Sequence, residues 1–150
     1  MEDTLVTIIM PVYNAELYLR DAIESVLAQS YKKFIFMIIN DGSTDNSLSV
    51  IQKLAYEDDR IQVYSKENQG PSTTRNQGIS IAKGKYLYFM DSDDYLEPET
   101  LESCFFKCEK NALDFIFFDA DILNKEANFD IHINYQRKDC TNPDILYDGV

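Results

Sequence analysis

Tryptophan is absent from this chain, and histidine occurs once, at His132. A lone histidine excludes zinc sites built on several imidazoles and leaves little room for a histidine-based nucleophilic triad. The three cysteines, Cys104, Cys108 and Cys140, are odd in number and lack CxxC spacing. They read as reduced thiols in a cytosolic protein rather than as a disulfide framework. Long apolar runs are also missing. The longest, Phe34–Ile39, falls far short of the about 20 residues that a membrane helix needs. The N-terminus opens with Glu2 and Asp3 and lacks the basic-then-apolar order of a signal peptide. Positive charge is scarce as well: 14 Lys and Arg stand against 26 Asp and Glu, a net charge of −12. Such a chain has no general attraction for phosphate backbones, so nucleic acid is not an expected partner. An anionic ligand has to be held by local features or by a metal cation, against the field of the whole chain. Apolar side chains are plentiful at 45%, enough over 150 residues for one domain with a real core. Oxygen ligands are in surplus.

Apolar, β-rich runs begin at Val6, Phe34, Ile61 and Lys85, with segments of helical periodicity between them. That alternation predicts an α/β fold with an open, mostly parallel sheet flanked by helices. Strands are expected at Leu5–Val12, Phe34–Ile39, Ile61–Ser65, Tyr86–Met90 and Asp114–Ala120. Helices are expected at Leu17–Gln29, from a cap at Ser43 or Asp45 to Tyr56, at Ser72–Ala82, and from Pro98 to Lys110. Beyond Asp121 the pattern fades into a turn at Asn124–Asn128 and a weak edge strand at Phe129–Gln136. We divide the chain into a ligand-binding α/β domain over 1–120 and an irregular or edge-strand extension over 121–150.

In a parallel sheet with right-handed crossovers, the carboxyl ends of all strands point to one edge, where open α/β sheets bind their ligands. The segments Pro11–Asn14, Asn40–Asp45, Ser65–Gly70 and Asp91–Asp94 are therefore expected on one rim. Asp91, Asp93 and Asp94 put three carboxylates into four residues with no adjoining base. They form either a solvated capping loop or a site for a divalent cation that relieves their repulsion, Mg²⁺ or Mn²⁺ being the hard cations that leave positions open for phosphates. Asp41 reads either as a turn residue before a helix cap or as an acceptor for the N3–H of a uracil ring. Tyr13, beside Pro11, reads as a flat wall for a base or as a loop tyrosine. Arg75, near the start of a helix at the same rim, suits a diphosphate or a surface salt bridge.

Pro11-Val12-Tyr13-Asn14, Asn40-Asp41-Gly42-Ser43-Thr44-Asp45, Arg75-Asn76-Gln77-Gly78 and Asp91-Ser92-Asp93-Asp94 occur here in the order seen in family 2 glycosyltransferases of the GT-A fold. The chain resembles their N-terminal, nucleotide-sugar-binding portion from Thr4 to Asn111. The resemblance implies a Rossmann-like GT-A sheet, here ending before the acceptor-binding part, and metal-dependent, inverting transfer of a sugar from a UDP-sugar to an acceptor hydroxyl. It assigns Pro11, Val12, Tyr13, Asn14, Asp41, Arg75, Asp91, Ser92 and Asp94 to the donor. It assigns Asp93, with Asp91, to Mn²⁺ or Mg²⁺. Asn40 departs from the aspartate that many members carry there, and the Arg-Trp pair of the acceptor side is missing. The resemblance implies that the general base lies beyond Val150; Asp119 and Asp121 match no motif for it. A glycan, a lipid-linked glycan or a protein fits as acceptor, and the expected location is cytoplasmic, with any membrane association through parts not in this chain. Two rival readings stand beside it. A phosphatase of the haloacid-dehalogenase type carries its DxD after the first strand, whereas here it follows the fourth. A module that binds nucleotide-sugar without turnover is the other.

Overall fold

The computed structural model describes residues 6–118. These fall into two compact units, divided between Glu102 and Ser103. Four strands, β1 (Val6–Val12), β2 (Phe34–Asp41), β3 (Ile61–Lys66) and β4 (Tyr86–Phe89), alternate with the helices α1 (Leu19–Leu27), α2 (Ser47–Glu57), α3 (Pro71–Ile81) and α4 (Thr100–Asn111).

All strand pairs are parallel, in the order β3-β2-β1-β4. β1 and β2 are the inner strands, and the all-buried VTIIMPV and the nearly all-buried FIFMIIND are what a parallel strand covered on both faces requires. Ile9, Met37 and Ile39 form a core cluster with Tyr64, Ile81 and Ala82 on the α3 side. The alternate residues Ile8, Phe36 and Ile38 are equally buried, so the other face is covered as well. α3 lies close on the sheet because Gly78 has no side chain: a Cβ there would sit 2.6 Å from Ile9 Cγ2. The chain runs outward from β1 through β2 to β3 and then returns to place β4 on the other side of β1. The reversal at β1 and β4 makes a crevice at their carboxyl ends, and the amide of Met90 extends that pairing by donating to Ile9 O at 3.1 Å.

The fold class and the order of the first eight elements match the sequence reading, with shifts of a few residues at the ends. Helix α1 starts at Leu19 rather than Leu17, and β2 runs on through the polar Asn40 and Asp41 because its pairing with β1 and β3 continues there. The cap of α2 is Asn46; Asp45 still serves its first turn by accepting from the Ser47 amide at 2.9 Å. The fifth strand is corrected: Asp114–Phe118, its described part, forms neither helix nor strand, and Phe115, Phe117 and Phe118 stay largely exposed rather than buried as an inner strand would be. Ala120, the turn at Asn124–Asn128, the edge strand at Phe129–Gln136, and Asp119 and Asp121 lie outside the described residues. No helix among the described residues is long and apolar enough to cross a membrane.

Candidate functional site

A cleft of about 480 Å³ opens at the carboxyl ends of the strands. Pro11, Val12 and Tyr13 form one part of its wall, Asp41 its floor, and Asn68, Gly70, Pro71 and Arg75 a second part; Asp91, Ser92 and Asp93 complete it. Three strand ends and the start of α3 thus bring together eight of the ten residues the sequence singled out. Asn14 and Asp94 do not line the cleft wall.

Asp41 is almost wholly buried, with 3% of its side chain exposed. Its Oδ1 accepts from the Lys66 ammonium and from the Gln69 amide at 3.0 Å, and its Oδ2 accepts from the Gly70 amide at 2.8 Å. Burial pushes this carboxyl up, but the Lys66 ammonium and the two amides outweigh it and hold Asp41 below the usual carboxylate range. The carboxylate therefore organises the segment leading into α3. Gly70, the cap residue of that helix, sits at φ +86°, a conformation that favours glycine, and its carbonyl accepts from the Thr74 hydroxyl at 2.9 Å.

Asn14 ties loops together. It adopts φ 50°, and its amide donates to Ser43 Oγ at 3.1 Å while its Oδ1 accepts from the Thr44 amide at 2.8 Å. Glu16 and Asp45 repeat the exchange: Asp45 Oδ2 accepts from the Glu16 amide, and Glu16 Oε2 accepts from the Asn46 amide and side chain. The Ala15 amide adds a bond to Ser47 Oγ at 2.9 Å. The loop that carries Tyr13 and the loop that follows Asp41 are thereby laced into one body.

Arg75 pairs with Asp91 across the cleft, with side chains 32% and 55% exposed. The surface salt bridge and the cleft arginine of the sequence reading are the same contact. Asp94 turns back, its amide donating to Asp91 O at 3.2 Å. Burial, then the charges of Asp91 and Asp93, push its carboxyl above the usual range. Among the described residues no group of three or more His, Cys, Asp or Glu side chains gathers as a metal cage. Asp91 and Asp93 in the cleft wall are the carboxylates that could hold a cation there. That fits Mg²⁺ or Mn²⁺, which are usually held by one or two carboxylates together with substrate phosphates and water.

Sequence reasoning put the segments holding Thr44, Lys66 and Asn68 on the rim without giving these residues a role, and it missed the lacing residues Glu16 and Asn46. Only the Gly70-Pro71 pair, a turn followed by a favoured first helical residue, carried a local signal.

A family model described as glycosyl transferase family 2 matches residues 7–144, well past the Asn111 limit of the motif resemblance. An uncharacterized glycosyltransferase of Haemophilus influenzae is 45% identical over 103 residues, 68% of this chain and 41% of that protein. The chondroitin synthase of Pasteurella multocida is 44% identical over 100 residues, 67% of this chain and 10% of that protein. A crystal structure of S. aureus TarS 1-349 in complex with UDP superposes with a TM-score of 0.69 at 30% identity, over 73% of this chain and 33% of that one. This chain spans at most about two fifths of the length of these curated relatives. The parallel sheet with its reversal at β1 and β4, the cleft at that reversal and the family match agree: the chain belongs to glycosyl transferase family 2.

Proposed function

We propose that this chain binds a UDP-sugar together with Mg²⁺ or Mn²⁺ and serves the inverting transfer of that sugar to an acceptor hydroxyl. The observation that supports this reading is the single cleft uniting Tyr13, Asp41, Arg75, Asp91 and Asp93. The half-exposed ring of Tyr13 offers a face to the base. Asp41 Oδ2 holds one amide and keeps a lone pair, which suits the imide N–H of uracil. Arg75, on exchanging Asp91 for a phosphate, presents a planar fork of donors to the diphosphate.

Charge explains the need for a cation. The cleft wall carries one arginine and three aspartates, and Lys66 offsets only one of those aspartates. A nucleoside diphosphate entering this wall meets net repulsion. A divalent ion held by Asp93 and Asp91 would reverse the sign and supply charge neutralisation for the departing diphosphate. The UDP complex of the S. aureus neighbour supports uridine as the base, and the chondroitin synthase among the relatives supports a glycan acceptor.

Calorimetric titration of UDP, with and without Mn²⁺, tests the reading. Mn²⁺ is expected to tighten UDP binding in the wild type, and Asp93→Ala is expected to lose that gain. Equal UDP affinity with and without the ion in the wild type, or an unchanged gain in Asp93→Ala, would refute it.

A further inference from the structure

The stretch from Asp91 to Glu99 contains neither helix nor strand, so its backbone has to find partners elsewhere. It finds them at the end of α1. Gln29 is completely buried. Its Nε2 donates to Glu97 O at 2.7 Å, to Ser25 O at 3.2 Å and, at the limit of hydrogen-bond distance, to Leu96 O at 3.5 Å. Its Oε1 accepts from the Leu101 amide at 3.0 Å. Ser25, also buried, donates its hydroxyl to Ala22 O at 2.7 Å and accepts from the Leu96 amide at 3.1 Å. The next residue joins in, since the Ser30 amide donates to Pro98 O at 2.8 Å and its hydroxyl to Glu102 Oε2 at 2.9 Å.

The loop Asp91–Tyr95 therefore hangs between two fixed points. Upstream, Met90 is bonded to β1; downstream, Leu96 is gripped by Ser25 and Gln29. Three carboxylates in four residues repel one another and, on a free tether, would splay toward solvent. We propose that Ser25 and Gln29 are positioning residues that hold the Asp91–Asp94 loop so that Asp91 and Asp93 face the cleft ready for a divalent cation. Gln29 suits this task because one amide side chain, itself fully buried, supplies both donors and an acceptor to the backbone of the loop and of the helix after it. The inference rests on the donor-site reading above and adds to it residues that touch neither donor nor metal.

The test uses the whole chain and two readouts: the Mn²⁺-dependent gain in UDP affinity, and amide hydrogen exchange at Leu96 and Leu101. Gln29→Glu keeps an acceptor for Leu101 but turns carboxylate oxygen onto the carbonyls of Leu96 and Glu97. Ser25→Ala removes a single loop bond and puts a strong helix former in its place, so it keeps the test alive if the first variant fails to fold. Leu54→Ala, in α2 and away from this loop, is the control for general loss of stability. Residues that orient metal ligands typically lose about 10- to 100-fold in metal affinity when replaced. Both anchor variants are expected to lose about 10-fold or more of the Mn²⁺-dependent gain, to exchange faster at Leu96 and Leu101, and to keep metal-free UDP affinity. Leu54→Ala is expected to keep the gain. A folded Ser25→Ala that keeps the full gain, or a Leu54→Ala that loses as much, overturns the inference. A wild type without any Mn²⁺ gain instead sinks the donor-site reading, and this inference with it.

Discussion

Replacing Asp41 with asparagine removes one charge and little volume at the floor of the cleft. The native carboxylate serves three donors, the Lys66 ammonium and the amides of Gln69 and Gly70. Asparagine has one acceptor oxygen, so it serves either the Lys66 and Gln69 side or Gly70, and turns its NH₂ against whichever is left. A buried donor left unsatisfied costs about 1–3 kcal/mol. Removing one partner of a buried ion pair costs about 3–5 kcal/mol. Lys66 retains 14% exposure and a bond to Glu67 O at 3.2 Å, which puts the expected loss near the lower end, about 3 kcal/mol. A domain with about 5–15 kcal/mol of stability survives that loss. The urea midpoint should fall by about 1–3 M, given a slope of about 1–3 kcal/mol per M. The pH dependence follows from the direction of the shift. Asp41 is held below its ordinary value in the folded state, so its contribution is complete above the unfolded carboxyl value of about 4 and is lost as pH falls through the folded value. The other carboxylates held low, Asp45 and Asp58, are present in both proteins and cancel in the difference. Urea unfolding of wild type and Asp41→Asn should therefore show a constant gap from pH 7 to about pH 4 that narrows below it. A gap under about 0.5 kcal/mol at pH 7, or one that persists unchanged in acid, would refute the assignment of Asp41 as an ionised anchor.

Gly78→Ala should destabilise the chain by about 1–3 kcal/mol, because the added methyl meets Ile9 Cγ2 at 2.6 Å and Ile9 Cδ1 at 3.1 Å against a gain in helix propensity of only about 1 kcal/mol. A higher denaturation midpoint would show that α3 has room to rise from the sheet. Asn14→Gly keeps access to the left-handed backbone but removes the acceptor for Thr44; we expect about 1 kcal/mol lost and weaker UDP binding measured by calorimetry. Unchanged UDP affinity would mean that the lacing of the two loops does not shape the cleft.

The fold was legible where a single physical requirement governed a whole segment. The continuous apolar runs of β1 and β2 leave no polar face, so they specify inner strands of a parallel sheet. The same reasoning failed at Asp114–Phe118, where apolarity was equally clear but no strand forms among the described residues. It also cut β2 short at Ile39. Polarity at Asn40 and Asp41 looked like the end of burial, yet both are 2% exposed. Asn40 is partnered by Ser65 on the adjacent strand and Asp41 by Lys66, and the strand register pairs the same residues. A polar residue can extend a buried strand when a neighbour satisfies it, and that neighbour lies 25 residues away in sequence.

The same distance separates what could be read about the cleft from what could not. Topology alone sends strand ends to one rim, so Asp41, Arg75 and Asp93 could be placed on a common wall without any side-chain coordinates. Their division of labour could not, because it depends on partners brought from other segments. Asp41 is bound to the loop before α3, and Arg75 covers Asp91. Asn14 faces Thr44, although the motif around it suggested contact with a ligand. Each of these polar side chains had two chemically sensible uses, and a local pattern weighs them equally. Packing breaks the tie: a buried polar atom has to take the partner within reach, whereas a cleft residue is free to exchange its partner for a ligand. On that criterion the Arg75–Asp91 pair, 32% and 55% exposed, has solvent to exchange into, whereas the buried Asp41–Lys66 ion pair has almost none.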